Sequence, residues 1–190
     1  GPDKAFAHLL EEACQLSASR NYGIGGTRIA RQQTPSADPK IDRDFCLRAS
    51  EMDENADVVV VFGGTNDFGH GDAPFGTLHD RTPDTFCGAC HVLFQTLLRR
   101  YPVAKIVTPL HRVNESDPRG DGSRATPARP LAEYVGALRQ IAQEYQLPVL
   151  DLYAEGVLDP NDPDTLARYV PDGLHPNDAG HVILAEKLRS

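Results

Sequence analysis

The spacing of apolar residues changes several times along the chain. Phe6, Leu9, Leu10 and Ala13 recur at helical intervals, which predicts an amphipathic helix over 3–16. A different pattern follows Asp57, where Val58, Val59, Val60, Val61 and Phe62 form an unbroken run closed by Gly63 and Gly64. Such a β-branched run predicts a central parallel strand buried on both faces. Helical spacing returns over 85–100, with Phe86, Cys90, Leu93, Phe94 and Leu97 on one side after a Pro83-Asp84 start signal. Further on, the pattern predicts a strand at 105–110, a helix at 131–145 and a strand at 148–153. It then predicts a helix at 162–169, opened by Asn161-Asp162-Pro163, and a closing helix at 178–188. Strands alternating with helices mark an α/β protein, a parallel sheet covered by helices. The stretch 113–129 has no periodicity and is rich in Gly, Pro, Asp, Asn and Ser, so it reads as a long surface loop suited to a lid or substrate loop. There is no internal repeat and no low-complexity linker.

Composition narrows the function classes. The 190 residues fit one domain spanning 1–190. With 40% hydrophobic and 24% charged residues, the chain has the make-up of a globular protein, and no apolar run approaches the ~20 residues of a membrane-spanning helix. A formal charge of -8 argues against nucleic acid or an anionic membrane as partner and favours a small molecule. Cys14, Cys46, Cys87 and Cys90 are too few for a disulfide scaffold. Gly1-Pro2-Asp3-Lys4 shows no signal-peptide pattern, so a cytoplasmic setting is the default expectation.

Three polar turns stand where an open parallel sheet places its functional loops, beyond the carboxyl ends of strands. The first, Asn21 to Thr27, has three glycines in the four positions 23–26. The second, Gly63 to Asp67, directly follows the valine run. The third is Asp172-Gly173-Leu174-His175-Pro176-Asn177. An aspartate three residues before a histidine, in a loop pinned by Gly173 and Pro176, can set a carboxylate beside the imidazole and so equip it as a general base. The backbone N–H of Gly26 and the amide of Asn66 are donors suited to an oxyanion. Each turn alone is ordinary: a plain glycine turn, a turn-forming asparagine, a helix cap. Their order along one chain is what gives them weight.

In that order the chain resembles the SGNH hydrolases, or GDSL-type esterases and lipases. The family's glycine block resembles Asn21 to Thr27, its Gly-x-Asn-Asp block is matched by Gly64-Thr65-Asn66-Asp67, and its Asp-x-x-His block by Asp172 to His175. The resemblance covers almost the whole chain, including the ending from Asn177 to His181. It implies a three-layer α/β/α fold with a flavodoxin-like parallel sheet, and a serine-type hydrolase of small acyl esters, acetylated carbohydrates among them. By position it makes His175 the base, Asp172 its partner, and Gly26 and Asn66 the oxyanion hole. No metal or organic cofactor is implied.

One block has no match. The family's nucleophile is the serine of a Gly-Asp-Ser turn after the first strand, and none of the seven serines here follows a glycine-aspartate pair. Either that strand and its serine lie upstream of Gly1, or the chain is a degenerate member acting as a carbohydrate- or ligand-binding module. Loss of a middle strand would leave backbone groups unpaired, which favours the first expectation. An upstream segment would also leave secretion open.

Other features read more plainly. Cys87-Gly88-Ala89-Cys90 lacks the second pair that a zinc site needs; a redox role is the weaker alternative to core packing. His70, His79 and His91 show no metal-ligand spacing and read as surface or structural. His111 and Arg112 follow the second strand and either face the substrate or form an ordinary loop edge. The glycine-rich stretch 67–78 reads as a rim beside Asn66.

Overall fold

The computed structural model describes residues 5–102, 105–107, 112–113, 115 and 129–190. Within them Val58–Val60 forms strand β1 and Lys105–Val107 forms β2. They pair in parallel, as the sequence predicts, and the register sets Val59 opposite Ile106. The helices are α1 (Phe6–Ala13), α2 (Phe45–Ala49), α3 (Thr65–His70), α4 (Phe86–Arg100), α5 (Leu131–Glu144), α6 (Pro163–Tyr169) and α7 (Asp178–Arg189). Residues 108–110, His111 and most of the loop 113–129 lie outside the described residues.

Successive residues of a strand point to opposite faces, and that rule sorts the helices into two layers. Val59 and Val61 enter a buried cluster with Phe86, Leu93, Phe94 and Leu97 of α4 and Leu131, Leu138 and Ile141 of α5. Phe62, on the other face, packs in a second cluster with Phe6 of α1, Leu184 of α7 and Val170 after α6. Helices therefore stand on both sides of the parallel strands, and only the Val59 side of β1 is buried along its length. Val58 and Val60 share the side of Phe62, yet they are 55% and 37% exposed.

Helix starts follow side-chain chemistry. Thr85 Oγ1 accepts from the Gly88 N–H, Asp162 Oδ2 from Thr165 and Asn177 Oδ1 from Gly180, each satisfying a first-turn donor with no partner inside its helix. α2 has too few residues for periodicity to show; Asp44 caps it by accepting from Leu47. α1 is shorter than the helix predicted over 3–16, since Gln15 turns to a positive φ of 52° after its last residue.

The strand predicted over 148–153 is not formed among the described residues. Its backbone folds back on itself: Leu152 N–H donates to Leu150 O, and Val157 N–H to Leu152 O. Leu152 is fully buried in the second cluster, so the apolar run reflects burial rather than ladder pairing.

His91 joins α4 to α5 through a fully satisfied chain. Leu78 O can only accept, so His91 Nε2 carries the proton, and Nδ1 accepts from the Tyr145 hydroxyl at 2.9 Å. Gln95 Nε2 donates in turn to the Tyr145 oxygen. Burial holds the imidazole below its usual range, hence neutral, which fits a structural role. Cys87 and Cys90 are likewise fully buried in α4. Burial pushes the Cys87 thiol up to about 11 and Cys90 well above its usual value, so neither supplies the thiolate that redox exchange requires.

Candidate active site

The Gly63-Gly64 pair ends β1 and aims the chain into α3. Gly64 takes a φ of 104°, open mainly to glycine, and a Cβ on Gly63 would stand 2.5 Å from the Phe45 ring. Asn66 and Asp67 are thereby set in the first turn of a short helix rather than in the open turn that the sequence predicts.

These two side chains bind the glycine block and the segment that follows it. Asn66 Nδ2 donates to Thr27 O at 2.9 Å. Asp67, 5% exposed, accepts from the N–H groups of Ile29 and Ala30, both at 2.9 Å, one on each carboxylate oxygen. Burial outweighs these two bonds and raises the Asp67 carboxyl to about 7. The motif's two polar residues thus divide their work: Asp67 locks the segment after Thr27, and Asn66 reaches the turn itself.

Two arginines that sequence reasoning did not single out brace that turn. Arg28, 3% exposed, donates to Gly26 O at 3.3 Å and pairs with Asp42 at 3.0 Å. Arg48 donates to Thr27 Oγ1 at 2.7 Å and to the Tyr22 carbonyl, while Thr27 Oγ1 donates to Ile24 O. Gly26 itself has φ 77°, and a Cβ there would lie 2.7 Å from Ile41 Cγ2. Gly26→Ala is expected to lower the unfolding free energy by about 1–2 kcal/mol in a denaturant titration; an unchanged midpoint would show that the turn tolerates a side chain.

The third block closes on itself. His175 Nδ1 lies 2.7 Å from Asp172 Oδ2, and Asp172 Oδ1 accepts from the N–H groups of Leu174 and His175. Since a carboxylate only accepts, Nδ1 carries the proton and Nε2 is left with its lone pair. Burial works to raise the Asp172 carboxyl, but the His175 N–H, the His175 ring and the Leu174 N–H outweigh it and hold the group below the usual carboxylate range. The loop is clamped by Gly173 N–H to Val170 O and by Asn177 to Tyr169 O and Arg168 O. His175 is 72% exposed at its side chain.

Gly26, Thr27 and Asn66 are brought together directly, and so are Asp172 and His175. Among the described residues no hydrogen bond links the two halves; shared packing does, because Leu174 lies in the same buried cluster as Ile29, Ala30 and Phe68. His70, which the sequence reads as surface or structural, contacts the site: its Nε2 is 3.2 Å from Asn66 Oδ1. The four-residue spacing of Asn66 and His70 is the signal the sequence offers, and it has meaning only because the segment is a helix. Arg112 donates to Tyr153 O and pairs with Asp159. Among the described residues no group of three or more His, Cys, Asp or Glu is placed to hold a metal ion. None of the helices described is long and apolar enough to cross a membrane.

Known proteins share this fold. The model of the GDSL-like lipase/acylhydrolase family matches residues 1–183. One crystal structure, 32% identical, superposes with a TM-score of 0.84 over 99% of this chain and 84% of that chain. A protein from Lactobacillus plantarum is 29% identical, with a TM-score of 0.83 over 97% of this chain and 85% of that one. The acetyl xylan esterase AlAXEase shares the fold at 20% identity, with a TM-score of 0.65 over 98% and 90%. No curated protein matches the chain. The parallel strands between helical layers are the SGNH hydrolase fold, and the chain belongs to the GDSL-like lipase/acylhydrolase family.

Proposed function

We propose that the chain carries the base and oxyanion hole of a serine-type hydrolase of small acyl esters. The observation that carries this reading is the Asp172–His175 pair, whose 2.7 Å contact leaves Nε2 free to take a proton. In the reaction, a serine hydroxyl attacks the ester carbonyl as His175 Nε2 accepts its proton. The tetrahedral oxyanion is bound by the Gly26 N–H and the Asn66 amide. Collapse expels the alcohol, whose oxygen receives the proton from His175. Water, deprotonated by the same nitrogen, then releases the carboxylic acid and restores the serine. Asp172 stays ionised and stabilises the imidazolium formed in both steps.

The nucleophile assigned by the family resemblance is a serine outside these 190 residues. The uncovered face of Val58 and Val60 supports a further element against β1, because an apolar strand of this kind is normally covered. The acetyl xylan esterase of like fold makes acetylated sugar the first substrate to try.

The test uses the full-length protein with p-nitrophenyl acetate, p-nitrophenyl octanoate and an acetylated xylo-oligosaccharide, alongside a fluorophosphonate probe. Turnover of the acetyl esters in preference to octanoate, with one serine phosphonylated, is the expected result. Folded protein with neither turnover nor adduct would overturn the reading in favour of a binding module.

A further inference from the structure

We propose that His70 is a positioning residue: it fixes the plane of the Asn66 amide so that the second Nδ2 proton points at the substrate oxyanion. The inference rests on the esterase reading above.

The orientation of Asn66 follows from its partners. Thr27 O is a pure acceptor 2.9 Å from Nδ2, so the amide nitrogen faces the glycine turn and Oδ1 faces away from it. His70 Nε2 stands 3.2 Å from that Oδ1, and an amide oxygen has no proton to give. His70 Nε2 therefore carries a proton and donates it. The neutral Nε2–H tautomer and the imidazolium both meet this requirement, so the contact does not depend on the charge of the ring.

An amide held at one end pivots about that bond. Here one N–H is committed to Thr27 O and the oxygen is committed to His70, so the direction of the remaining N–H is set by two fixed points. The anchors are themselves fixed. Thr27 is held by Arg48 through its hydroxyl. His70 sits one helical turn from Asn66 on α3, on the same face, where Gly71 N–H donates to Asn66 O and ends the helix. A Cβ on Gly71 would lie 2.9 Å from the Asp67 carbonyl oxygen, so the tight exit after His70 is built into the sequence. Preorganised donors of this kind act in the transition state more than in substrate binding, so loss of His70 should appear in kcat and not in KM.

The experiment is a double-mutant cycle in the full-length protein, assayed with p-nitrophenyl acetate, with His175→Ala as reference. His70→Ala is expected to lower kcat about 10-fold with KM within about 2-fold of wild type. His70→Gln, which offers a neutral N–H donor, should recover kcat to within about 3-fold of wild type. In an Asn66→Ala background His70→Ala should cost less than about 2-fold, since its target is gone. Equal losses from His70→Ala in both backgrounds, or a loss confined to KM, would overturn the proposal. Thermal unfolding of each variant separates misfolding from lost positioning; should His70→Ala not fold, the His70→Gln and His70→Asn pair carries the cycle, with the shorter amide expected to fail and its equivalence to His70→Gln counting against the proposal. Wild-type turnover that survives His175→Ala would instead defeat the esterase reading, which keeps the two failures apart.

Discussion

In the full-length protein, His175→Ala is expected to lower kcat for p-nitrophenyl acetate by about 10³–10⁴-fold, with the melting temperature changed by no more than a few degrees. The two halves of this expectation have different causes. Catalytically, Nε2 is the one site on the imidazole free to receive the serine proton, because Nδ1 is engaged by Asp172 at 2.7 Å. Structurally, the ring is 72% exposed, so its removal leaves no cavity. The Asp172 carboxylate would also keep its two backbone donors, Leu174 N–H and His175 N–H, which do not depend on the side chain at position 175. Asp172→Asn extends the test. An amide in that place keeps the size but can turn its N–H₂ toward Nδ1, which favours the wrong imidazole tautomer, and a loss of about 10²-fold or more is expected. Turnover unchanged in either variant would reject the assignment of base and partner.

The valine run and the amphipathic helices are legible in the sequence because each is a local signal. Asp162, inside the predicted Asn161-Asp162-Pro163 start, caps α6, whereas the caps of α4 and α7 are Thr85 and Asn177, which the pattern does not single out. The segment 148–153 was misread for a physical reason: a fully buried residue such as Leu152 gives the same apolar signal whether its backbone sits in a ladder or in a turn. The candidate site was legible in its motif residues, Gly26, Asn66, Asp172 and His175. What surrounds them was not. Arg48 reaches the glycine turn from α2, and Arg28, the residue next to that turn, is held there by Asp42; neither tertiary contact leaves a mark in local spacing. His70 was spaced for contact with Asn66, but that spacing has meaning only in a helix, and Gly64 and Gly69 argued for a turn. Short helices fixed by contacts outside themselves are where pattern reading has least to work with.

Asp67 joins stability to the geometry of the site, and its titration gives a second large effect. Its folded-state carboxyl lies at about 7, raised by burial from an ordinary value of 3.8. The sign follows from proton counting. Between those values the folded chain holds a proton that the unfolded chain has released, so the group's contribution to stability falls as pH rises through the window and levels off above about 7. A shift of this size corresponds to a decline on the order of 4 kcal/mol. Carboxyls held below their usual range, such as Asp72 and Asp172, act in the opposite direction and at lower pH. The comparison with Asp67→Asn isolates the buried group. An amide cannot titrate, so the variant should lack the decline between pH 4 and 7. It should also be less stable at pH 4 by about 1–3 kcal/mol, because its N–H₂ would face a backbone donor of Ile29 or Ala30 where a carboxyl oxygen now accepts. Urea titrations of both proteins across that range check the expectation, and parallel profiles would refute it. Since Ile29 and Ala30 lie two and three residues after Thr27, the same variant should weaken ester turnover through the Gly26 turn even where the protein stays folded, a loss that Asn66 alone does not make good.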